Sequence, residues 1–224
     1  MDIITTNFGL LKLMQLTSVN LPVGGFAFSQ GLETACELGW VKSLDDARDW
    51  IGVQIQESLG HLDLPIFLRA YDGADLSSDL TEFKRWNRYI LASRETQEFL
   101  SADIAMGAAL KRLMANLNID CAVDGDISFV CAFAFLAHYW QIDKKAACLG
   151  YSWTWLENQI SAAMKLVPLG QNSAQQLIGL LQPKLTKTME FALTLSNEEI
   201  GSSLIGLSIA SSMHETQYSR LFRS

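Results

Sequence analysis

Residues 43–60 read SLDDARDWIGVQIQESLG, and the spacing of their apolar side chains decides the fold class. The apolar positions step by three and four residues, through Leu44, Ala47, Ile51, Ile55 and Leu59. This period matches one face of an α-helix. Ser43 followed three residues later by Asp46 is a capping box, which marks a helix start. The segment therefore predicts an amphipathic helix over 43–60.

The same period recurs along the rest of the chain. It predicts helices from near Ser78 to Ser93, over 95–116, over the apolar run 127–140, and through 156–167, where Pro168 and Gly170 stop the helix. Ser173 with Gln176 and Ser196 with Glu199 are further capping boxes that would open the last helices. No segment alternates with a period of two. We expect an all-α fold, with residues 1–224 forming a single domain of about nine or ten helices and no significant sheet.

Composition narrows the classes of function. Charged residues make up 18% of the chain and apolar residues 49%, so the surface is poor in charge for a soluble protein. This favours burial of apolar area against a second copy or another protein. The net charge is -7, and the longest basic run is Lys144-Lys145, which argues against nucleic acid as a partner.

Location and redox state follow from other features. The beginning of the chain has no secretory signal, and the apolar run over 127–140 is too short to cross a bilayer, so we expect no membrane partner. The four cysteines, Cys36, Cys121, Cys131 and Cys148, contain no CxxC pair. We interpret them as buried reduced thiols in a cytoplasmic protein.

Two segments in the first half of the chain could carry chemistry. The segment LPVGGFAFSQGLE, residues 21–33, lacks the lysine of a phosphate loop, so we interpret it as a tight turn before a helix, with Phe26 and Phe28 in the core. The segment ASRETQEF, residues 92–99, has two interpretations. Glu95 and Arg94 could act as a general base and an oxyanion clamp, or Ser93 could cap the next helix while Arg94 pairs with a carboxylate. The absence of a nearby nucleophile favours the structural interpretation.

Histidines offer no metal site by their spacing. They occur at positions 61, 138 and 214, without an HExxH pattern, so we expect neither a resident metal nor a cofactor. His138 lies in the apolar run, where a hydrogen-bonded core histidine is the usual outcome. Small residues at Ser202, Gly206 and Ala210 are spaced for one helix face, which fits either tight core packing or a subunit contact.

Two segments in the second half suggest protein contacts. In WLENQISAAMKLVPLGQ, residues 155–171, the polar side chains form either a solvated stripe or a wet protein interface. The chain ends with HETQYSRLFRS, residues 214–224. In a helix, Tyr218, Leu221 and Phe222 would form one apolar edge flanked by Arg220 and Arg223. Tyr and Arg are enriched where interfaces concentrate binding energy, which favours a docking tail over a disordered end.

These four segments, in this order, resemble those of the urease accessory protein F family (UreF). The resemblance implies a cytoplasmic all-α dimer that helps to install nickel in apo-urease. It also implies a complex with the accessory protein UreD, called UreH in some organisms, and with the GTPase UreG. A family member is not itself a nucleotide hydrolase; it recruits or regulates the GTPase.

The resemblance also assigns residues. The first three signatures, expected to be structural or interfacial, are Pro22, Gly24, Gly25, Ser29, Gly31 and Glu33; Ser93, Arg94, Glu95 and Thr96; and Glu157, Asn158, Gln159, Lys165, Pro168, Gly170 and Gln171. The last signature implies docking on UreD/UreH through His214, Glu215, Gln217, Tyr218, Arg220, Leu221, Phe222 and Arg223. Two departures from common forms of the family are Ala27 and Phe28 in place of hydroxyls, and Met213 in place of a basic residue.

The function predicted is therefore that of a non-enzymatic assembly factor. The alternative is an enzyme with its own hydrolytic activity, using Glu95 and Arg94 with His138 or His214. An intermediate version is an activator that supplies an arginine to the GTPase. The candidates for that arginine are Arg94, Arg220 and Arg223.

Overall fold

A computed structural model describes residues 6–76 and 79–223. Its α-helices are α1 (Asn7–Leu16), α2 (Leu32–Glu37), α3 (Leu44–Gln54), α4 (Leu64–Asp72), α5 (Thr81–Ala92), α6 (Gln97–Asn116), α7 (Phe129–Tyr139), α8 (Lys144–Leu166), α9 (Gln171–Ala192) and α10 (Ile205–His214). Short 3₁₀ turns lie at Gly25–Ala27 and Asn197–Glu199. The described residues contain no β-strand, which confirms the all-α prediction.

The helix predicted over 43–60 is confirmed and continues further. Ser43 and Asp46 form the capping box. After α3 the chain winds into a π-helical segment (Ile55–Asp63) and passes directly into α4. Because a π-turn adds a residue to each turn, this segment changes the face that the following side chains present. Asp63, the last residue of this segment, is buried.

Helix α7 lies at the centre of the fold. All residues over 129–137 are buried, as the apolar run predicts, and the helix packs against α4, α6 and α8. The approach to α6 is very close. A Cβ atom on Gly107 would lie 1.9 Å from the carbonyl oxygen of Ile127, so only glycine fits there. This contact brings the beginning of α7 onto α6.

Several predicted helix boundaries are wrong. Thr96, rather than Ser93, caps α6; the Ser93 hydroxyl instead donates to the carbonyl of Tyr89 at the end of α5. Helix α9 begins at Gln171 with Gly170 as its N-cap, so Ser173 is already inside the helix and opens nothing. Gly170 has φ of -71° and does not form the glycine cap expected at the end of α8.

Two further boundaries differ in extent. The Ser196–Glu199 capping box forms, but it opens only a 3₁₀ turn because the chain then extends before α10. The helix predicted near Ser78 begins at Thr81; Ser78 itself lies outside the described residues.

The cysteines are free thiols. Cys121, Cys131 and Cys148 are buried as predicted, whereas Cys36 is only half-buried. None of the helices described is both long and apolar enough to span a bilayer.

Candidate functional site

The end of the chain lies on the protein's own body. After α10, residues 215–223 form an irregular segment, here called the strap. The backbone N–H of Arg223 donates to the carbonyl of Ala27 at 2.8 Å, which joins the strap to the turn before α2. The Phe222 ring is buried, and the Lys165 ammonium of α8 lies 5.3 Å from its centre. The strap therefore brings the first, third and last signature segments together.

A buried ionic cluster fastens the strap. We call this cluster the clasp; it consists of Glu33 on α2, Glu98 on α6, His214 at the end of α10, and Arg220. His214 is fully buried, and its Nε2 and Nδ1 lie 3.0 Å and 3.1 Å from carboxylate oxygens of Glu33 and Glu98. Glu33 also accepts the backbone N–H groups of Leu221 and Phe222, and Glu98 accepts from Arg220. The clasp thus joins two helices to the strap.

This geometry corrects the prediction for the tail. Helix α10 ends at His214, so Tyr218, Leu221 and Phe222 do not share a helix edge. Phe222 points inward, whereas Tyr218 and Leu221 are exposed. His214 is a buried anchor of the strap instead of a surface residue. The irregular path is possible because Glu33 satisfies two backbone N–H groups that a helix would satisfy internally.

Arg94 belongs to a second buried cluster. Its guanidinium pairs with Asp63 at 2.8 Å and Asp103 at 2.9 Å, which confirms the structural interpretation of this residue. Asp103 also accepts from the Ser128 hydroxyl and the Phe129 N–H at the beginning of α7. The Tyr151 hydroxyl of α8 donates to Asp63 at 3.1 Å. We call the group of Asp63, Arg94 and Asp103 the arginine cluster.

Burial dominates the electrostatics of the arginine cluster. Desolvation raises the pKa of Asp63 even though Arg94 opposes the shift, and it raises the pKa of Tyr151 well above its ordinary value. Burial alone would lower the pKa of Arg94, but Asp103 and Asp63 outweigh it and raise that pKa. The guanidinium therefore stays charged between two carboxyl groups.

A cavity of about 70 Å³ lies beside this cluster. Gln30, held at a left-handed φ of 51°, accepts from the Trp155 indole at 2.8 Å and from the Gln159 amide at 3.1 Å. The side-chain amide oxygen of Gln159, Oε1, is buried and has no hydrogen-bond partner among the described residues. The Asn158 amide contacts the turn, since a Cβ on Gly25 would lie 2.5 Å from its nitrogen. Trp155 and Gln159 thus line the interior, and neither interpretation proposed for their segment describes them.

The remaining residues of the third signature are peripheral. Glu157 is half-buried, and desolvation raises its pKa. The others lie exposed at the junction of α8 and α9, namely Pro168, Gly170 and Gln171.

The first signature is a turn, as predicted, but its two aromatic residues differ in burial. Phe28 is buried, whereas Phe26 is 64% exposed and is not a core residue. Gly24 and Gly31 have φ of 72° and 82°, and Pro22 is exposed in the turn. Gly31 faces α10, where its Cβ would lie 3.2 Å from Leu207. The buried Ser29 hydroxyl accepts the backbone N–H of Glu33 at 3.4 Å.

The small residues predicted on one helix face do not act together. Ala210 is buried and packs near Gly31. Ser202 precedes α10, and a Cβ on Gly206 would meet nothing within 4 Å. Only Ala210 therefore contributes to close packing.

The side chains of the catalytic alternative contact different parts of the protein. Arg94 pairs inward with Asp63 and Asp103, while the exposed Glu95 accepts from the Ser208 hydroxyl of α10. His138 packs edge-on against Tyr71. Its Nδ1 is buried without a hydrogen-bond partner in the described part of the chain, so the prediction of a satisfied core histidine is wrong. Nowhere in the described residues do three or more metal-ligating side chains come together.

The site includes acidic residues that the sequence prediction missed. Asp63, Asp103 and Glu98 lie on helices and are buried. A usable signal existed, because each is an acidic residue in the buried phase of a helix, where an unpaired charge would be unstable. Gln30 carried no comparable signal, since its left-handed backbone follows from tertiary contacts.

Apolar side chains remain exposed on α10 and on the strap. Ile205, Ile209 and Met213 recur every four residues and are exposed on α10. Tyr218 and Leu221 are exposed on the strap. We call these five side chains the apolar face. Such a surface is typical of protein contacts.

Comparisons with known proteins show the family. The family model UreF matches residues 41–182. The chain is 49% identical to the "Urease accessory protein UreF" of Marinomonas sp. (strain MWYL1), over 100% of this chain and 97% of that protein. Proteins of the same name from Teredinibacter turnerae and Hahella chejuensis are 44% and 42% identical, over 97% and 96% of this chain and 100% and 98% of theirs.

Proposed function

The chain belongs to the UreF family of urease accessory proteins, and on that premise we propose that it is a non-enzymatic assembly factor for nickel insertion into apo-urease. We propose that it bridges the accessory protein UreD/UreH and the GTPase UreG, and that it modulates the GTPase cycle. The observation that carries this proposal is the apolar face, of which Tyr218 and Leu221 lie on a strap that the buried clasp fastens.

The structure of the strap divides the proposed docking residues into two groups. His214 and Phe222 point inward and hold the strap, and Gln217 accepts from the Thr34 hydroxyl at 3.1 Å. Tyr218 and Leu221 point outward. The exposed Glu215 and Arg223 and the partly exposed Arg220 can serve as the polar rim of a contact. We therefore propose that UreD/UreH meets the apolar face.

An activating role toward UreG would require an arginine that can reach the transferred phosphoryl group. Arg94 is held by two carboxylates and is unsuited to this task. Arg220 is paired with Glu98, whereas Arg223 is exposed. We propose Arg223 as the first candidate. Its replacement by alanine should lower GTP hydrolysis in the assembled complex, and an unchanged rate would leave recruitment as the role of this protein.

The exposed side of α1 supports the proposed homodimer. Phe8, Leu10, Leu11 and Met14 are exposed apolar residues on this single helix. Sedimentation of the isolated protein would test this proposal, since a mass that stays at 24.9 kDa at high concentration contradicts it. We also propose a cytoplasmic location, where UreG and apo-urease would be its partners.

The docking proposal can be tested by co-purification with UreD/UreH. Replacing both Tyr218 and Leu221 by alanine should weaken binding by at least about tenfold, because such anchors typically contribute more than 1 kcal/mol each. Deleting residues 215–224 should weaken it further. The matched control is Tyr139→Ala, an exposed tyrosine on α7. Binding that survives the deletion would contradict the docking role of the strap.

A further inference from the structure

The clasp contains an unusual arrangement of donors and acceptors. Each ring nitrogen of the buried His214 lies within hydrogen-bond distance of a different carboxylate. A neutral imidazole carries one N–H, so it can donate to only one of the two. An ionised carboxylate has no proton to donate in return. The two contacts are both hydrogen bonds only if the cluster holds one extra proton.

The strap determines where that proton belongs. The two oxygens of Glu33 accept the N–H groups of Leu221 and Phe222 at 2.6 Å and 2.9 Å. One oxygen of Glu98 accepts from Arg220 at 3.0 Å. Carboxylates that accept this many hydrogen bonds are stabilised in the ionised form. The extra proton is therefore assigned to the imidazole ring.

We propose that His214 is held as an imidazolium at neutral pH and that its second ring proton fastens the strap. The clasp is then a proton-dependent device that presents or releases the outward-facing Tyr218 and Leu221. Its consequence for UreD/UreH binding rests on the proposed function. The coupling between the proton and the strap does not.

The charges around the ring balance only in this state. Helix α2 contributes Glu33, helix α6 contributes Glu98, and the strap contributes Arg220. The Cys36 thiol of α2 is uncharged at neutral pH, because burial and the Glu33 charge raise its pKa to about 11. Lys165 of α8 lies over Phe222, and the exposed Glu215 follows the ring on its own chain. With the imidazolium, the two carboxylates face two cations.

The direction of the pH effect follows from this balance. When the pH is raised until the ring loses a proton, one carboxylate loses a donor and the cluster gains a net negative charge in a buried place. The strap should then detach. When the pH is lowered until Glu33 or Glu98 is protonated, acceptors for the strap are lost. The strap is therefore held within a window that includes neutral pH.

Nuclear magnetic resonance can observe the proton directly. The chain has three histidines, so ¹⁵N-histidine labelling of the full-length protein gives a simple spectrum. The His214→Gln variant identifies the His214 signals. We expect both ring nitrogens of His214 to show protonated ¹⁵N shifts at neutral pH. A spectrum with one protonated and one bare nitrogen would overturn the proposal.

Hydrogen exchange tests the coupling to the strap. After correction for intrinsic exchange, protection of the Leu221 and Phe222 amides should fall at least tenfold as the His214 ring loses its proton. His214→Gln should remove both the protection and its pH dependence, because a glutamine amide carries both of its N–H donors on one nitrogen, whereas the imidazolium carries one on each of two nitrogens. Glu33→Gln should also release the strap, whereas Glu37→Gln, an exposed residue on the same helix, should not. Amide protection that stays constant as the ring loses its proton would contradict the coupling.

The partner assay separates this inference from the proposed function. If the clasp titrates as described but UreD/UreH binds equally well with the strap released, the docking role fails and the clasp remains. If UreD/UreH binding requires the strap but the NMR spectrum shows a neutral His214 ring, the proton-dependent clasp is contradicted and the docking role remains. Circular dichroism of His214→Gln and Glu33→Gln should match the parent protein, which shows that only the strap has changed.

Discussion

The arginine cluster and the clasp are built alike, yet they hold different parts of the molecule. Each places two carboxylates around one buried cation: Asp63 and Asp103 around Arg94, and Glu33 and Glu98 around His214. The arginine cluster joins the π-helical segment to α6 and, through Ser128 and Tyr151, to α7 and α8. The clasp joins two helices to nine residues at the end of the chain.

The choice of cation separates the two clusters further. A guanidinium keeps its charge at every pH that a protein survives, so the arginine cluster is a permanent part of the core. An imidazole changes its charge within the physiological range, so the clasp can be conditional. The same ionic design thus serves the fold in one place and an exposed surface in the other. Mutations in the two clusters should therefore produce different kinds of change.

The largest effect should come from Arg94→Met. This change leaves Asp63 and Asp103 buried and unpaired, and breaking a buried ionic group in this way typically lowers the free energy of unfolding by about 3–5 kcal/mol. Urea titration followed by circular dichroism would measure it. Arg85→Ala on α5, which removes an exposed pair with Glu82, is the control and should change stability by less than about 1 kcal/mol. Equal effects of the two changes would show that the arginine cluster does not hold the fold.

Gly107→Ala should have the next largest effect on stability. The added methyl group would meet the carbonyl of Ile127 at 1.9 Å and push the beginning of α7 away from Asp103. Overpacking of this kind usually lowers the free energy of unfolding by about 1–3 kcal/mol. The control is Gly179→Ala in α9, where the methyl group has open space and should stabilise the helix by roughly 0.5–1 kcal/mol. Opposite signs for the two changes, measured by urea unfolding, would locate the effect at the approach of α7 to α6.

The sequence predicted the helices better than it predicted the clusters. Local periodicity and the Ser43–Asp46 capping box are sufficient for α3 because both act within a few residues. Arg94 was correctly expected to pair, but its partners lie 31 and 9 residues away. One of them, Asp63, lies at the end of the π-helical segment. Pairing partners of this kind depend on tertiary geometry.

The tail shows the same limit more clearly. Its composition indicated a docking tail; Phe222 and Arg220 contact the protein's own body, whereas Tyr218 is exposed. The helical interpretation is wrong because Glu33, 188 and 189 residues earlier, accepts the backbone N–H groups of Leu221 and Phe222. Spacing along the tail could not reveal which of its aromatic residues points inward.

A smaller effect is expected from Asp63→Asn, and it depends on pH. Burial raises the pKa of Asp63 in the folded protein, so the folded state binds a proton more tightly than the unfolded chain does. Stability from this group is then lost as the pH rises from the unfolded pKa, about 4, through the folded one. The amide of the variant does not titrate and would show no such loss. The stability of the variant relative to the parent protein should therefore increase as the pH rises above about 4, by about 1.4 kcal/mol for each unit of pKa shift. If the free energies of unfolding of the variant and the parent protein, measured in urea, differed by the same amount at all pH values, the raised pKa would be contradicted.

The smallest effect on stability should come from Tyr218→Ala, which tests the division of the strap into inner and outer residues. Tyr218 is fully exposed and its side chain has no hydrogen bond to the rest of the described protein, so the free energy of unfolding should change by less than about 0.5 kcal/mol. Phe222→Ala provides the contrast, because it removes a buried ring between α8 and the first signature turn. It should free the strap and abolish the amide protection of Leu221. UreD/UreH binding should fall in both variants, although only Phe222→Ala disturbs the strap itself. If Tyr218→Ala also released the strap, its ring would be an inner anchor, and the apolar face would have to be redrawn around Leu221 and α10.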